Sequence, residues 1–427
     1  MASAPPVKRG FSPLDEELEL LPGSLTPRLH EHLVRLSTLL PSFAKAAAEL
    51  TYCTQADVSR ATATRLTEAA GAATVAVQTA EVERIEREYP TPPVTPDTLL
   101  VSADGAMVPL LHGEWAEVKT LAIGEVSPPK LERGELVVHT HALSYFSRLT
   151  DSTSFSHLAL GEVQRRGVER AGRVAAVMDG ALWLQGFVDL QCSSAVRVLD
   201  FAHAVGYLHA IGQTMGPEGR LLSEQEVGQM AHDLKHVGPR GVLVTLRRLA
   251  TTHPEAAELE TQVSYLETRE AQMQYPQFVA AGLPIGSGSV ESGHKVVVEP
   301  RLRGAGMRWA RENVDPMLAL RNAVCNERWG EVWEQIEAEE RRAVQRRRRE
   351  RRQVRRAATL AGCNEEQAPH SPADVVEAVV PRAVLSPRPV SLEGGQSRRP
   401  AATHPWRRAW SPRRQLEQLL TGESARR

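Results

Sequence analysis

Apolar positions along this chain change their spacing several times, and each change marks a different kind of element. From Leu25 to about Gly71 they recur at helical intervals, with Leu33, Leu36, Leu39 and Leu40 sharing one face. Val58-Ser59 followed by RATATRL reads as the second helix of a helix-turn-helix, with Ser59 supplying the N-cap hydroxyl. The helical period continues over 72–89, until PTPPVTPDT at 90–98 stops it with four prolines in nine residues. Beyond that break, strands are predicted over 99–110, 115–126 and 134–146, and a helix over 155–169. Two short β-branched runs, 174–178 and 196–199, read as buried strands ending in Asp179 and Asp200. Residues 201–280 are helical in period almost throughout, 282–295 introduces another helix, and 312–356 predicts one or two long helices.

This order predicts an α/β fold with a mixed sheet whose first strands are antiparallel, preceded by an all-α region resembling a helix-turn-helix. The boundaries expected are an extended lead-in over 1–24, a helical DNA-binding region over 25–89, a linker over 90–98 and a catalytic core over 99–335. An Arg-rich helix follows over 336–361, and the Pro- and Arg-rich remainder, 362–427, is expected to be a poorly ordered tail.

Composition narrows the class. With 427 residues, 42% of them hydrophobic, the chain can bury a large core. No run approaches the length needed to span a membrane, and the first residues carry no apolar signal region. Cys53, Cys192, Cys325 and Cys363 are too scattered for a disulfide framework or a zinc site, so a reducing cytoplasm is the expected setting. The net charge of −1 hides a split. From Arg341 onward 20 Arg stand against 8 Asp and Glu, a net +12, whereas residues 1–340 carry 31 Lys and Arg against 44 Asp and Glu, a net −13. A basic tail on an acidic body predicts contact with a polyanion.

Three acids sit at the ends of elements. Asp104 and Asp179 each close an apolar run and precede glycine, and Glu291 follows the turn Gly286-Ser287-Gly288-Ser289. Converging carboxylates with room for two divalent cations are what in-line phosphoryl transfer requires, and Mg²⁺, with Mn²⁺ as a substitute, is the cation expected. Each acid also has a plainer reading: Asp-Gly is the commonest hairpin turn, and a glutamate in a first helical turn favours the dipole. Glu291 does not complete a capping box, because the residue three before it is Gly288, and GSGSVESGHK lacks phosphate-loop spacing. Asp200 also ends a strand and rivals Asp179. Around Glu291, His294, Lys295, Arg301, Arg303 and Arg308 suit a phosphate track, and Trp309 is placed either to stack on an unpaired base or to pack in the core. In the N-terminal region Arg60 and Arg65, with Thr62 and Thr64, are the side chains a recognition helix would offer to DNA.

The combination VSADGAMV, VMDGALW, VLDFAHAVGYL, PIGSGSVESGHK and RLRGAGMRWA resembles bacterial insertion-sequence transposases of the Kra type, within the Mutator-like DDE superfamily. The likeness covers most of 10–335, and PIGSGSVES followed by RGAGMRW is its most specific pair. It implies an RNase H-like core interrupted by a helical insertion at 204–280. It also implies Asp104, Asp179 and Glu291 as the catalytic, metal-holding acids. Asp200-Phe201-Ala202-His203 is similar to the D-x-x-H signature of that superfamily; the pair is either accessory to the site or an N-cap with a buried histidine. The implied activity is binding of terminal repeats in double-stranded DNA followed by metal-dependent strand cleavage and transfer to target DNA. A homo-oligomer associated with the bacterial nucleoid would carry it out. Two other readings compete: a DNA-binding regulator derived from a transposase but catalytically inactive, and a plain RNase H-like nuclease. The nuclease would not need the 112 positions by which Glu291 follows Asp179.

Overall fold

In the computed structural model, which describes residues 25–132, 134–216 and 219–365, the chain is a mixed α/β structure around one five-stranded sheet. Three helices lead into it: α1 (Pro27–Leu39), α2 (Phe43–Thr54) and α3 (Arg60–Glu88). Each begins where the sequence supplies a hydroxyl: Thr26, Ser42 and Ser59 accept from the backbone N–H of Leu29, Lys45 and Thr62. The helix, turn and helix expected around Val58-Ser59 are therefore present. The second helix runs on for 29 residues, to within one residue of the proline break at 90–98.

The sheet starts with β1 (Thr98–Pro109) and β2 (Trp115–Val126), paired antiparallel. After a separate hairpin, β3 (Lys130–Glu132) with β4 (Glu135–Val137), the strand β5 (Thr140–Arg148) pairs with the outer side of β2. Next come β6 (Arg173–Met178), parallel to β1, and β7 (Val196–Leu199), parallel to β6, for the order β5-β2-β1-β6-β7. Two expectations need correction here. The strand predicted over 134–146 is two elements, because none of residues 135–139 is buried and nothing seats them on the sheet. The helix predicted over 155–169 is broken into α4 (Ser152–Leu158) and α5 (Leu160–Arg165), closed by Gly167 at φ 66°. A further helix, α6 (Leu182–Gln191), connects β6 to β7.

Alternation along the strands divides the core. Leu99, Val101 and Ala103 point to one face with Leu121, Ile123, Ala176 and Met178, where Phe155, Leu184 and Phe187 of α4 and α6 cover them. Leu100, Ala175, Val177 and Val198 point to the other face. There they join the helices between β7 and residue 282: α7 (Phe201–Gln213), α8 (Glu224–His236), α9 (Pro239–Thr252), α10 (Ala257–Glu267) and α11 (Tyr275–Ala280). Further along that second face, Val108, Val118 and Ala122 meet Val290, Val297 and Leu302 from the segment after the glycine-rich turn. That segment comprises α12 (Gly288–Gly293), a wide π-turn over His294–Val298, and α13 (Glu299–Leu302). It is followed by α14 (Val314–Cys325) and α15 (Trp329–Glu365), the latter one continuous helix.

Contacts divide the chain into a unit of Met1–Ala357 and a second of Ala358–Arg427. Within the first, the N-terminal helices are packed into the core rather than standing apart behind the proline break. Two buried arginines fasten them. Arg301 donates through Nε to the Ser37 carbonyl (2.9 Å) and through Nη1 to that of Pro41 (2.7 Å), carbonyls at and just beyond the end of α1. Arg321 donates to Thr38 at the same helix end, and to the Val296 and Val297 carbonyls. Pro300 has no N–H with which to close a helical bond to Val296, so the arginine satisfies a carbonyl that the proline leaves open. The expected lead-in at 1–24 and the tail beyond Glu365 lie outside the described residues. Among the described residues no helix is long and apolar enough to cross a membrane.

Two stability predictions arise from this packing. A Cβ built on Gly71 in α3 would overlap the backbone carbonyl of Pro316 in α14, so these helices touch only because position 71 is glycine. Gly71→Ala should lower stability by about 2 kcal/mol, read as an earlier denaturant midpoint with an unchanged slope. An unchanged midpoint would mean that this crossing yields freely.

The second concerns Glu340 of α15, 3.7 Å from the buried His30 of α1. Burial, reinforced by the nearby Glu337, pushes the Glu340 carboxyl up to about 7, and burial holds the His30 imidazole down at about 4. Because the folded-state pKa of Glu340 lies above its unfolded value near 4.5, stability is full below pH 4.5 and declines as pH rises towards 7. The His30 shift has the opposite sense: its stabilisation is present above 6.5 and lost as pH falls towards 4. Glu340→Gln should therefore raise the unfolding midpoint at pH 8 by more than at pH 5. An equal shift at both would show that ionisation of Glu340 costs nothing.

Candidate active site

The sheet register assembles the acids. β1 and β6 pair Thr98 with Arg173 through to Val101 with Ala176, and continuing that register three residues sets Asp104 beside Asp179. β6 and β7 pair Ala175 with Val196 through to Met178 with Leu199, and one further step sets Asp179 beside Asp200. Three aspartates thus stand in one row across three parallel strands, at the seam between the two apolar clusters of the second face. Asp104 is not in a hairpin turn. It lies inside β1, paired with Thr120, and Gly105 is paired with Lys119.

The three carboxylates in the row are held differently. Asp104 accepts the N–H of Gly105 at 2.7 Å and is half-buried. Asp179, also half-buried, accepts the N–H of Ala181 at 2.8 Å, so the turn after β6 orients it. Asp200 is buried and both its oxygens are committed: Oδ1 accepts the His203 N–H and Oδ2 the Ser287 N–H, each at 2.6 Å. It caps α7 and at the same time grips the glycine-rich turn that leads to Glu291. In addition, Phe201 N–H donates to the Ile285 carbonyl at 2.9 Å, so two successive residues hold that turn to the end of β7.

Glu291 is exposed in α12. The helix reaches the sheet because Gly293 lies flat against it; a Cβ there would come within 2.9 Å of the Tyr145 ring. Burial first, and then the charges of Asp179, Glu291 and Glu117, push the Asp104 carboxyl up to about 6, against the Gly105 hydrogen bond that pulls it down. The first two of those charges belong to the acids singled out in the sequence, brought together from three separate elements. Glu117 was not anticipated. It sits two residues along β2 from Lys119, its side chain fills the space where a Gly105 Cβ would lie, and Lys119 bonds it at 2.7 Å. No sequence motif marks it, because only pairing between strands makes it a neighbour of Asp104.

The remaining candidates divide by exposure. His294 is buried one turn after Glu291, its Nδ1 3.8 Å from Asp104 Oδ2, and burial holds its pKa down to about 4, so the ring is neutral. Its Nε2 is buried with no hydrogen-bond partner. Lys295 and Arg308 are exposed, as are Arg60 and Arg65 on α3, while half-buried Arg303 bonds Glu299. Two residues do not take the place on a phosphate track that the sequence suggested. Arg301 is buried between the rings of Phe43 and Trp309, its charge spent on backbone carbonyls. Trp309 is buried and donates its indole N–H to the Arg301 carbonyl, so the core reading holds for it. His203 is half-buried, its ring edge against Tyr207 at 5.2° of neither solvent nor acid but within the helix packing, with centroids 5.4 Å apart.

An all-oxygen donor set suits Mg²⁺, which binds a few carboxylates and keeps other positions for water and phosphate. Among the described residues no three His, Cys, Asp or Glu side chains form a closed metal cage. The fit rests instead on donor chemistry and on the mutual repulsion that Asp104 registers. Compared with known proteins, the chain matches no described family and no curated protein at a significant level.

Proposed function

We propose that this protein is a DDE transposase with an RNase H-like core, which cleaves DNA at the ends of its insertion sequence and joins them to target DNA. The observation that carries the reading is the meeting of Asp104, Asp179 and Glu291, whose like charges, together with burial, raise the Asp104 carboxyl to about 6. The sheet order, with three antiparallel strands first and two parallel strands beyond the central one, is consistent with that core. Two bound Mg²⁺ ions would supply activation of the attacking oxygen and stabilisation of the leaving oxygen. The three acids would hold them; Lys295 and Arg308, exposed on the same segment as Glu291, would contact the phosphate backbone. Arg60 and Arg65 on α3 and the arginines of α15 would extend the contact to double-stranded DNA, in a homo-oligomer.

The test is incubation of the purified full chain with labelled DNA carrying the ends of its own element, with Mg²⁺ or Mn²⁺. Cleavage leaving a free 3′-hydroxyl, followed by joining to target DNA, is the expected result. Binding without cutting would favour the inactive regulator, and cutting without end specificity the plain nuclease.

A further inference from the structure

We propose that the helical insertion acts as a positioning device for Asp179, through Tyr265 and Arg269. This rests on the metal-site reading above and adds a role for the insertion within it.

The turn that orients Asp179 is gripped from outside the sheet. The Tyr265 hydroxyl donates to the Asp179 carbonyl, and Arg269 donates to the next carbonyl, that of Gly180, through Nε (3.2 Å) and Nη2 (2.8 Å). Two successive carbonyls of the turn are thereby fixed, and neither peptide can rotate without breaking a bond. The same turn presents the Ala181 N–H to the Asp179 carboxylate.

The grip is itself braced. The Arg269 guanidinium lies 3.7 Å from the centre of the Tyr265 ring and donates through Nη1 to the Tyr265 carbonyl at 3.0 Å. On its other side Tyr265 stacks on Tyr207 of α7, with centroids 4.3 Å apart and planes 11° from parallel. The turn is shaped to receive both side chains. Gly180 has φ 81°, and a Cβ there would lie 2.5 Å from the Tyr265 hydroxyl and 2.7 Å from Arg269 Nε. Simple docking of the insertion needs apolar burial, which its helices already have against Val177, Val198 and Leu199. Bonds to the two carbonyls flanking the acid serve its orientation in particular. A carboxylate that must meet a metal ion loses affinity when its support is loosened, typically by tenfold or more.

The test uses the full chain and the variants Tyr265→Phe, which keeps the stack but loses the hydroxyl, Arg269→Gln, and Arg269→Lys as the conservative partner. Two readouts are independent of turnover: amide exchange of residues 179–184 in metal-free protein, and Mn²⁺ binding followed by electron paramagnetic resonance. Exchange in Tyr265→Phe and Arg269→Gln should accelerate at least about fivefold and Mn²⁺ affinity should fall about tenfold. Arg269→Lys should recover part of both. The Mg²⁺ concentration for half-maximal cleavage should rise in parallel, with the rate at saturating metal largely restored. Unchanged exchange and affinity, in a background where Asp179→Asn abolishes Mn²⁺ binding, would overturn the positioning role and leave the metal site standing. Faster exchange in a wild type that shows no Asp179-dependent Mn²⁺ binding would overturn the metal-site reading, and the positioning role with it.

Discussion

Asp179→Asn is expected to reduce metal-dependent strand cleavage at least about 10³-fold, the loss of some 4 kcal/mol of transition-state stabilisation. Asp104→Asn and Glu291→Gln should do the same, because each removes one anchor of a shared site. Affinity for end DNA, measured by mobility shift without divalent metal, should change little. The thermal signature is the more discriminating part. Asp104 is held in its charged form against burial and against two neighbouring carboxylates, so Asp104→Asn removes a repulsion in the metal-free protein. Its unfolding midpoint should rise, while the further stabilisation that Mg²⁺ gives the wild type should vanish. A midpoint that falls, or that still responds to Mg²⁺, would show that Asp104 is a structural acid and not part of a metal site.

Asp200→Ala is expected to behave in the opposite way. Its buried carboxylate accepts two short charge-assisted bonds, from His203 and Ser287, and truncation leaves both N–H groups without that partner. We expect a loss of about 3 kcal/mol, seen as a fall of several degrees in the unfolding midpoint, independent of Mg²⁺. Cleavage should fall as well, because the turn carrying Glu291 loses its hold on β7. Activity at low temperature should recover more than it does in Asp179→Asn, where the anchor itself is missing. A variant as stable as wild type but inactive would reassign Asp200 to the reacting centre.

These two aspartates show how far the sequence could be read. Each ends a β-branched run, each falls in the same row of the sheet, and nothing local distinguishes them. The difference comes from the turn at 286–288, far along the chain, whose backbone occupies Asp200 and leaves Asp179 to face Asp104. The same limit applies to the arginines after Glu291. Charge and position made Arg301 look like Lys295 or Arg308, and only the docking of α1 against this segment turns Arg301 inward.

What the sequence determined by itself is whatever depends on near neighbours. Hydroxyl caps at Thr26, Ser42 and Ser59 set the starts of three helices, four prolines ended the helical region, and β-branched runs set the strands. The alternation within those runs also fixed which residues face the core. Tertiary structure decided the rest: that 134–146 splits where no buried face holds it, and that Glu117 neighbours Asp104. It also decided that Tyr265 and Arg269 hold the turn of Asp179. Each of these is a contact between residues far apart in the chain, fixed by strand register and helix docking, which local propensity does not encode.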